Sequence, residues 1–157
     1  MRKQKGFSLI ELLIVVAIIL IIAAIAVPNL LRSRMAANEA SAVGTIRTIN
    51  TAQVTYASTY PSTGYTALSS LGGASPCTPG PTSACIIDPT VSGGGVKSGF
   101  TFASAAGAGT PSIAFTANGN PVTFGTTGMR NFFSDDSFVI RYSTNGNPAT
   151  VSDTPLQ

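Results

Sequence analysis

Lys5-Gly6-Phe7-Ser8-Leu9-Ile10-Glu11-Leu12-Leu13-Ile14-Val15, continuing without a polar residue through Val27 to Pro28, is the stretch that decides how the chain is built. Residues 12–27 are sixteen consecutive apolar side chains. With residues 7–11 included, the segment makes a helix of about 31 Å, close to the hydrocarbon thickness of a bilayer. Arg2, Lys3 and Lys5 precede it. The positive-inside rule therefore leaves the N-terminus cytoplasmic and the remainder of the chain outside.

Three readings compete for this segment. An ordinary secretory signal is one, because Ala24-Ile25-Ala26 supplies an A-x-A site before Val27. A plain single-span anchor is the second. The third turns on Glu11, a carboxylate inside the apolar run that neither of the others needs. An acid at membrane depth costs a few kcal/mol and marks a functional candidate; an acid reaching toward the headgroups is the plain structural alternative.

Basic leader, Gly6, aromatic Phe7, Glu11 at the fifth position from Phe7, apolar run and Pro28 occur together. This combination resembles the N-terminus of the type IV pilin family, which includes the pseudopilins of type II secretion. The likeness covers residues 5–28 tightly. It implies cleavage of a class III leader between Gly6 and Phe7, N-methylation of Phe7, and assembly through Phe7 and Glu11. It further implies a pilin fold, a homo-oligomeric filament, and a prepilin peptidase, an assembly ATPase and a platform protein as partners.

The chemistry gives that arrangement a reason. Cleavage would create an α-amino cation on Phe7 at the head of an apolar helix, and Glu11 stands i+4 from it on the same helix face. The resemblance implies that Glu11 also reaches the Phe7 amine of a neighbouring subunit. An unpaired buried charge costs about 3–5 kcal/mol, so such a pair acts chiefly as a register device.

Beyond Pro28 the pattern stays helical. Leu31, Met35, Ala42, Ile46, Ile49, Tyr56 and Tyr60 form an apolar stripe, with Arg32, Arg34, Asn38, Glu39, Thr45, Arg47 and Asn50 assigned to the polar face. The spacing predicts one helix from Phe7 to about Ser58. Pro28 cannot donate to the Ala24 carbonyl, so a helix break, as a kink or local melting, is expected over residues 24–28. Gly44 is the candidate for close approach of a sheet.

Residues 61–95 are rich in Pro, Gly, Ser and Thr. They hold the only two cysteines, Cys77 and Cys85, which an oxidising compartment would join. In the resembled family a disulfide-bounded loop often lies nearer the C-terminus. From Val96 onward the period changes to two. Phe100–Phe102, Ile113–Phe115 and Phe138–Tyr142 read as strands, with Val122–Phe124 and Asn131–Phe133 as shorter ones. Asn118-Gly119 and Asn145-Gly146 read as hairpin turns. The expected fold class is α+β: a long N-terminal helix, apolar in its first half, packed on a C-terminal antiparallel β-sheet. Its regions are a leader (1–6), a transmembrane and assembly half-helix (7–28), an amphipathic half-helix (29–60), a connecting loop (61–95), and a sheet with tail (96–157).

Composition excludes much else. The 157 residues include no His and no Trp, which removes Ser-His-Asp and Cys-His catalysis and the usual His-containing zinc sites. Gly93-Gly94-Gly95-Val96-Lys97-Ser98 fails the phosphate-loop template because Val96 separates glycine from lysine, and reads instead as a glycine-rich hairpin connection. The net charge of +3 comes wholly from Arg2, Lys3 and Lys5. From residue 7 onward, six basic residues balance six acidic ones, so nucleic acid is not indicated. Asp135-Asp136 reads as a turn in preference to a calcium site. Neither a metal nor a cofactor is expected.

The expected function is thus a type IV prepilin: non-enzymatic, held in the inner membrane as precursor, and part of an extracellular filament when assembled. A type II secretion pseudopilin is the alternative within the family. An exported binding protein released after Ala26 is the alternative outside it.

Overall fold

The computed structural model describes residues 6–156. Residues 1–5, most of the expected leader, lie outside that range. Helix α1 spans Leu9–Thr59. Two single-turn helices follow, α2 (Leu68–Leu71) and α3 (Pro89–Ser92), then strands β1 (Phe100–Ala106), β2 (Phe115–Pro121), β3 (Asn131–Asp135), β4 (Arg141–Ser143) and β5 (Thr154–Pro155). The strands form one antiparallel sheet in the order β1-β2-β3-β4-β5, so each pairs with its neighbour in sequence. The chain divides into two compact units, Met1–Arg34 and Met35–Gln157. The fold is α+β, with a long N-terminal helix and a five-stranded antiparallel sheet.

In the first unit the helix begins where Ser8 precedes the apolar run. The Ser8 amide donates to Glu11 Oε2 at 2.8 Å. This is the reciprocal half of a capping box, in which an acid three residues into the helix satisfies an otherwise orphaned N–H. Pro28 lies inside α1, and the helix continues through it. Residues 24–28 therefore stay helical and do not melt, while Pro28 still forfeits the bond to the Ala24 carbonyl that a kink would exploit.

The second unit has the core. Ala42, Ile46, Ile49 and Tyr56 of α1 are buried together with Phe100, Phe102, Phe115, Ala117, Phe132 and Ile140. Strand alternation puts the aromatic residues of β1 and β2 on one face, and register aligns Phe102, Gly119 and Phe132 in one cross-strand row. Gly119 is therefore inside β2, not in a turn as its Asn-Gly sequence suggested. A Cβ there would lie 3.1 Å from Ile46 Cδ1 and 3.1 Å from the Phe102 ring. The bare glycine leaves room there for Ile46 of the helix and the Phe102 ring. Gly44, expected in that role, is exposed, and a Cβ at that position would meet nothing within 4 Å.

The stripe assigned from sequence is also rotated at its edges. Leu31 is exposed, whereas Glu39, Thr45 and Asn50, assigned to the polar face, are buried. Each of these three has a hydrogen-bond partner: Arg130 and the Met129 amide for Glu39, the Ser41 carbonyl for Thr45 and Ser134 for Asn50. Gln53 is fully buried and behaves like a strand edge. Its Nε2 donates to the Thr66 carbonyl at 2.6 Å and its Oε1 accepts from the Thr66 amide at 3.0 Å.

Helix α1 stops before Pro61. The connection that follows is more ordered than its composition suggested, because Leu68, Leu71, Ile87 and Val91 are buried in the core. Asp88 caps α3 by accepting from the Thr90 amide. The run Gly93–Gly95 follows α3 and leads toward β1, so it is not a hairpin connection. Strand limits shift as well. Ile113 is outside β2 and 81% exposed. Phe138 has φ +60° and lies in a turn, leaving only residues 141–143 as β4. Residues 122–124 make one isolated bridge, Phe124 to Gly128, instead of a strand.

Candidate processing and assembly site

Within the first unit, Gly6 and Phe7 precede the helix as exposed, non-helical chain, and the Phe7 ring is 81% exposed. A peptide bond between them is thus open to a protease on sequence-local grounds. Glu11 lies on the first turn of α1 with its carboxylate turned back to Ser8. In the uncleaved chain the Phe7 nitrogen is an amide, so the carboxylate is satisfied by a helix-end N–H and not by an ammonium group. Cleavage would place a cation one residue from that N–H.

An 18-residue window of α1 has a mean hydropathy of 3.3, and none of it is buried. Leu, Ile and Val side chains from Leu9 to Leu31 are exposed all round the helix. A surface of this extent is unfavourable in water and calls for lipid or other apolar helices around it.

In the second unit, Cys77 and Cys85 are joined in a disulfide with Cα atoms 6.0 Å apart. It lies beside a tether from α1, since the Tyr56 hydroxyl donates to the Pro81 carbonyl at 2.6 Å. Asp135, expected in a turn, accepts from the Ser137 amide and hydroxyl and makes that turn. Among the described residues, no group of three or more His, Cys, Asp or Glu is arranged to hold a metal ion.

A family model described as a prokaryotic N-terminal methylation motif matches residues 1–27. Three curated relatives share longer stretches. A type IV wide pilus major component of Thermus thermophilus is 64% identical over 39 residues, 25% of this chain and 30% of its own. A type IV major pilin protein of Myxococcus xanthus is 43% identical over 54 residues, 34% of this chain and 24% of its own. The type II secretion system core protein G of Vibrio cholerae is 42% identical over 66 residues, 40% of this chain and 45% of its own. The chain is similar, over its N-terminal quarter to two fifths, to two type IV pilins and a type II secretion pseudopilin. These matches span less than half the length of each relative, and no solved structure matches the chain.

In the second unit the informative residue that sequence reasoning misplaced is Glu39. Its Oε2 accepts from Arg130 Nε at 2.8 Å and its Oε1 from the Met129 amide at 2.6 Å. The Glu39 side chain is 8% exposed and that of Arg130 35%. The Arg130 guanidinium also stands 5.6 Å from the Phe132 ring centre and 5.5 Å from that of Tyr142. A buried acid thus pins the second half of α1 to the segment entering β3. The partner is 91 residues away in sequence, so helical periodicity alone carries no trace of it.

Proposed function

We propose that the chain is a type IV prepilin, a structural subunit whose leader, residues 1–6, is removed between Gly6 and Phe7. On this reading Phe7 becomes N-methylated, residues 7–28 hold the precursor in the inner membrane, and the processed subunit packs into an extracellular filament. A prepilin peptidase, an assembly ATPase and a platform protein would serve it. Residues 29–157 would form the part outside the membrane, with the disulfide loop at 77–85 within it. The role is structural and not enzymatic.

The observation that carries the reading is Glu11. It is an acid in a helix surrounded by exposed apolar side chains, and its only described partner is the Ser8 N–H. Once lipid or neighbouring helices cover that surface, one amide is poor compensation for a carboxylate. A processed Phe7 amine supplies the missing cation at i+4. The methylation motif and the two pilus relatives support the same reading.

A secretion pseudopilin is the second reading, favoured by the Vibrio cholerae relative, which has the largest matched share of its own length. The two differ in where the polymer is found and in whether its loss blocks protein export.

Terminal sequencing and mass spectrometry of the protein from its native cells test the proposal. N-methyl-Phe7 at the start is the expected result. A mature chain starting at Val27 would instead mark an exported protein and overturn it. Glu11→Ala should insert in the membrane normally and yield few or no filaments; an undiminished filament yield would remove the role given to Glu11.

A further inference from the structure

Two Asn-Gly sequences occur in the chain, at 118–119 and 145–146, and the fold treats them oppositely. Asn118 and Gly119 lie inside β2, paired with β1 on one side and β3 on the other. Asn145 and Gly146 lie in an exposed bend after β4, with Gly146 at φ +82°. Among the described residues, neither the Gly146 N–H nor Asn145 Nδ2 has a hydrogen-bond partner. Asn145 Oδ1, by contrast, accepts twice: from Ser143 Oγ at 2.6 Å and from the Asn147 amide at 2.9 Å. Ser143 Oγ also lies 3.1 Å from the Asn147 carbonyl oxygen, and Ser143 itself is buried.

We propose that Asn145 is a site of spontaneous, self-assisted deamidation, and that Asn118 is protected from the same chemistry by its place in the sheet. The Gly146 backbone nitrogen loses its proton to water and attacks Asn145 Cγ. A bond forms between that nitrogen and Cγ, Oδ1 takes up the negative charge, water returns the proton to Nδ2, and the bond from Cγ to Nδ2 then breaks with ammonia leaving as the carbonyl re-forms. The product is a five-membered succinimide. Water adds to either ring carbonyl and breaks its bond to nitrogen, leaving aspartate or isoaspartate at position 145. Overall one water is consumed and one ammonia released, with no oxidant or cofactor.

Two features of the bend favour the first step. Glycine at 146 offers a nitrogen with no side chain to obstruct the approach. The Ser143 hydroxyl and the Asn147 amide point at the oxygen where charge develops, as donors in an oxyanion hole do. Inside β2 the same ring closure would require residues 118 and 119 to leave two ladders at once. Asn120 and Asn147 precede proline, which has no N–H to lose, and so cannot react by this route. The consequence is electrostatic. Residues 7–157 carry six acidic and six basic side chains, so one conversion turns a balanced surface negative.

The test uses the full-length chain in detergent, incubated at mildly alkaline pH and sampled over days. It is then unfolded and cut with trypsin. Asn145 and Asn147 fall in the peptide that begins at Tyr142, and Asn118 and Asn120 in the peptide from Ser98 to Arg130. Fragment masses locate each exchange of NH2 for OH, and an isoaspartyl methyltransferase reports isoaspartate. The native protein should convert at position 145 and remain unchanged at 118, whereas chain incubated in urea should convert at both. Ser143→Ala should slow the reaction at 145 about tenfold, and Gly146→Ala should slow it too, because a side chain then obstructs the attacking nitrogen. Conversion at 118 as fast as at 145 in the native protein would overturn the proposal. So would a position 145 that reacts only in urea, or one whose rate ignores Ser143→Ala while the native circular dichroism spectrum is retained.

Discussion

Replacing Arg130 by alanine leaves the Glu39 carboxylate buried with a single remaining donor, the Met129 amide. The lost bond is charge-assisted and well formed at 2.8 Å, a class of contact that contributes about 1.5–3 kcal/mol. The guanidinium also leaves the faces of Phe132 and Tyr142, each contact contributing about 0.5–1 kcal/mol at a partly exposed site. Because Arg130 is about one-third exposed, solvent already screens part of this attraction. The expected total is about 2–4 kcal/mol. For a domain of this size that corresponds to a fall in melting temperature of roughly 10 °C. Near-ultraviolet circular dichroism of the full-length chain in detergent reads the transition through its tyrosines, Tyr142 among them, with no tryptophan to mask them. The decisive comparison is a rescue. Glu39→Gln keeps an oxygen for the Met129 amide and removes the buried charge, so adding E39Q to R130A should restore about 1–2 kcal/mol. If the double variant is no more stable than R130A, the cost was never that of a stranded charge, and the role given to the pair is refuted.

Two glycines should respond in opposite directions. Gly119→Ala places a methyl 3.1 Å from both Ile46 and Phe102, and overpacking of that kind costs about 1–3 kcal/mol. Gly44→Ala meets nothing within 4 Å and should gain up to about 1 kcal/mol of helix stability; parallel thermal melts of the two variants check the signs. The cap on α3 should depend on pH. The Thr90 backbone and hydroxyl hydrogen bonds, aided by Lys97, hold the Asp88 carboxyl below its ordinary value. A lowered folded-state value means that the contribution is present above the ordinary carboxylate range and is lost as pH falls through the lowered one. The Thr90 amide resonance should therefore follow that acid titration in the wild type and ignore it in Asp88→Asn.

The first 28 residues speak for themselves in the sequence. Sixteen apolar residues, a preceding basic cluster and a single acid are local features, and a helix in lipid needs only local hydrogen bonds. Pairing of Cys77 with Cys85 was equally legible, since two cysteines eight positions apart leave one partner each. The β-region was legible in class but not in limits. Phe100–Phe102 and Asn131–Phe133 carry the alternation of a half-buried strand, whereas Ile113 and Phe138 carry it without being in one.

What the sequence alone determined is therefore the membrane-length helix, the disulfide and the α+β class, because each depends on neighbours within a few turns or on composition. Tertiary structure decided which side of α1 is inside. Glu39 is buried only because Arg130 arrives from the far end of the chain. Asn118-Gly119 is a strand because β1 and β3 pair with it on either side, and Asn145-Gly146, exposed and unpaired with any strand, is a bend. Burial is a property of the partner as much as of the residue, and partners so distant in sequence leave no period to read.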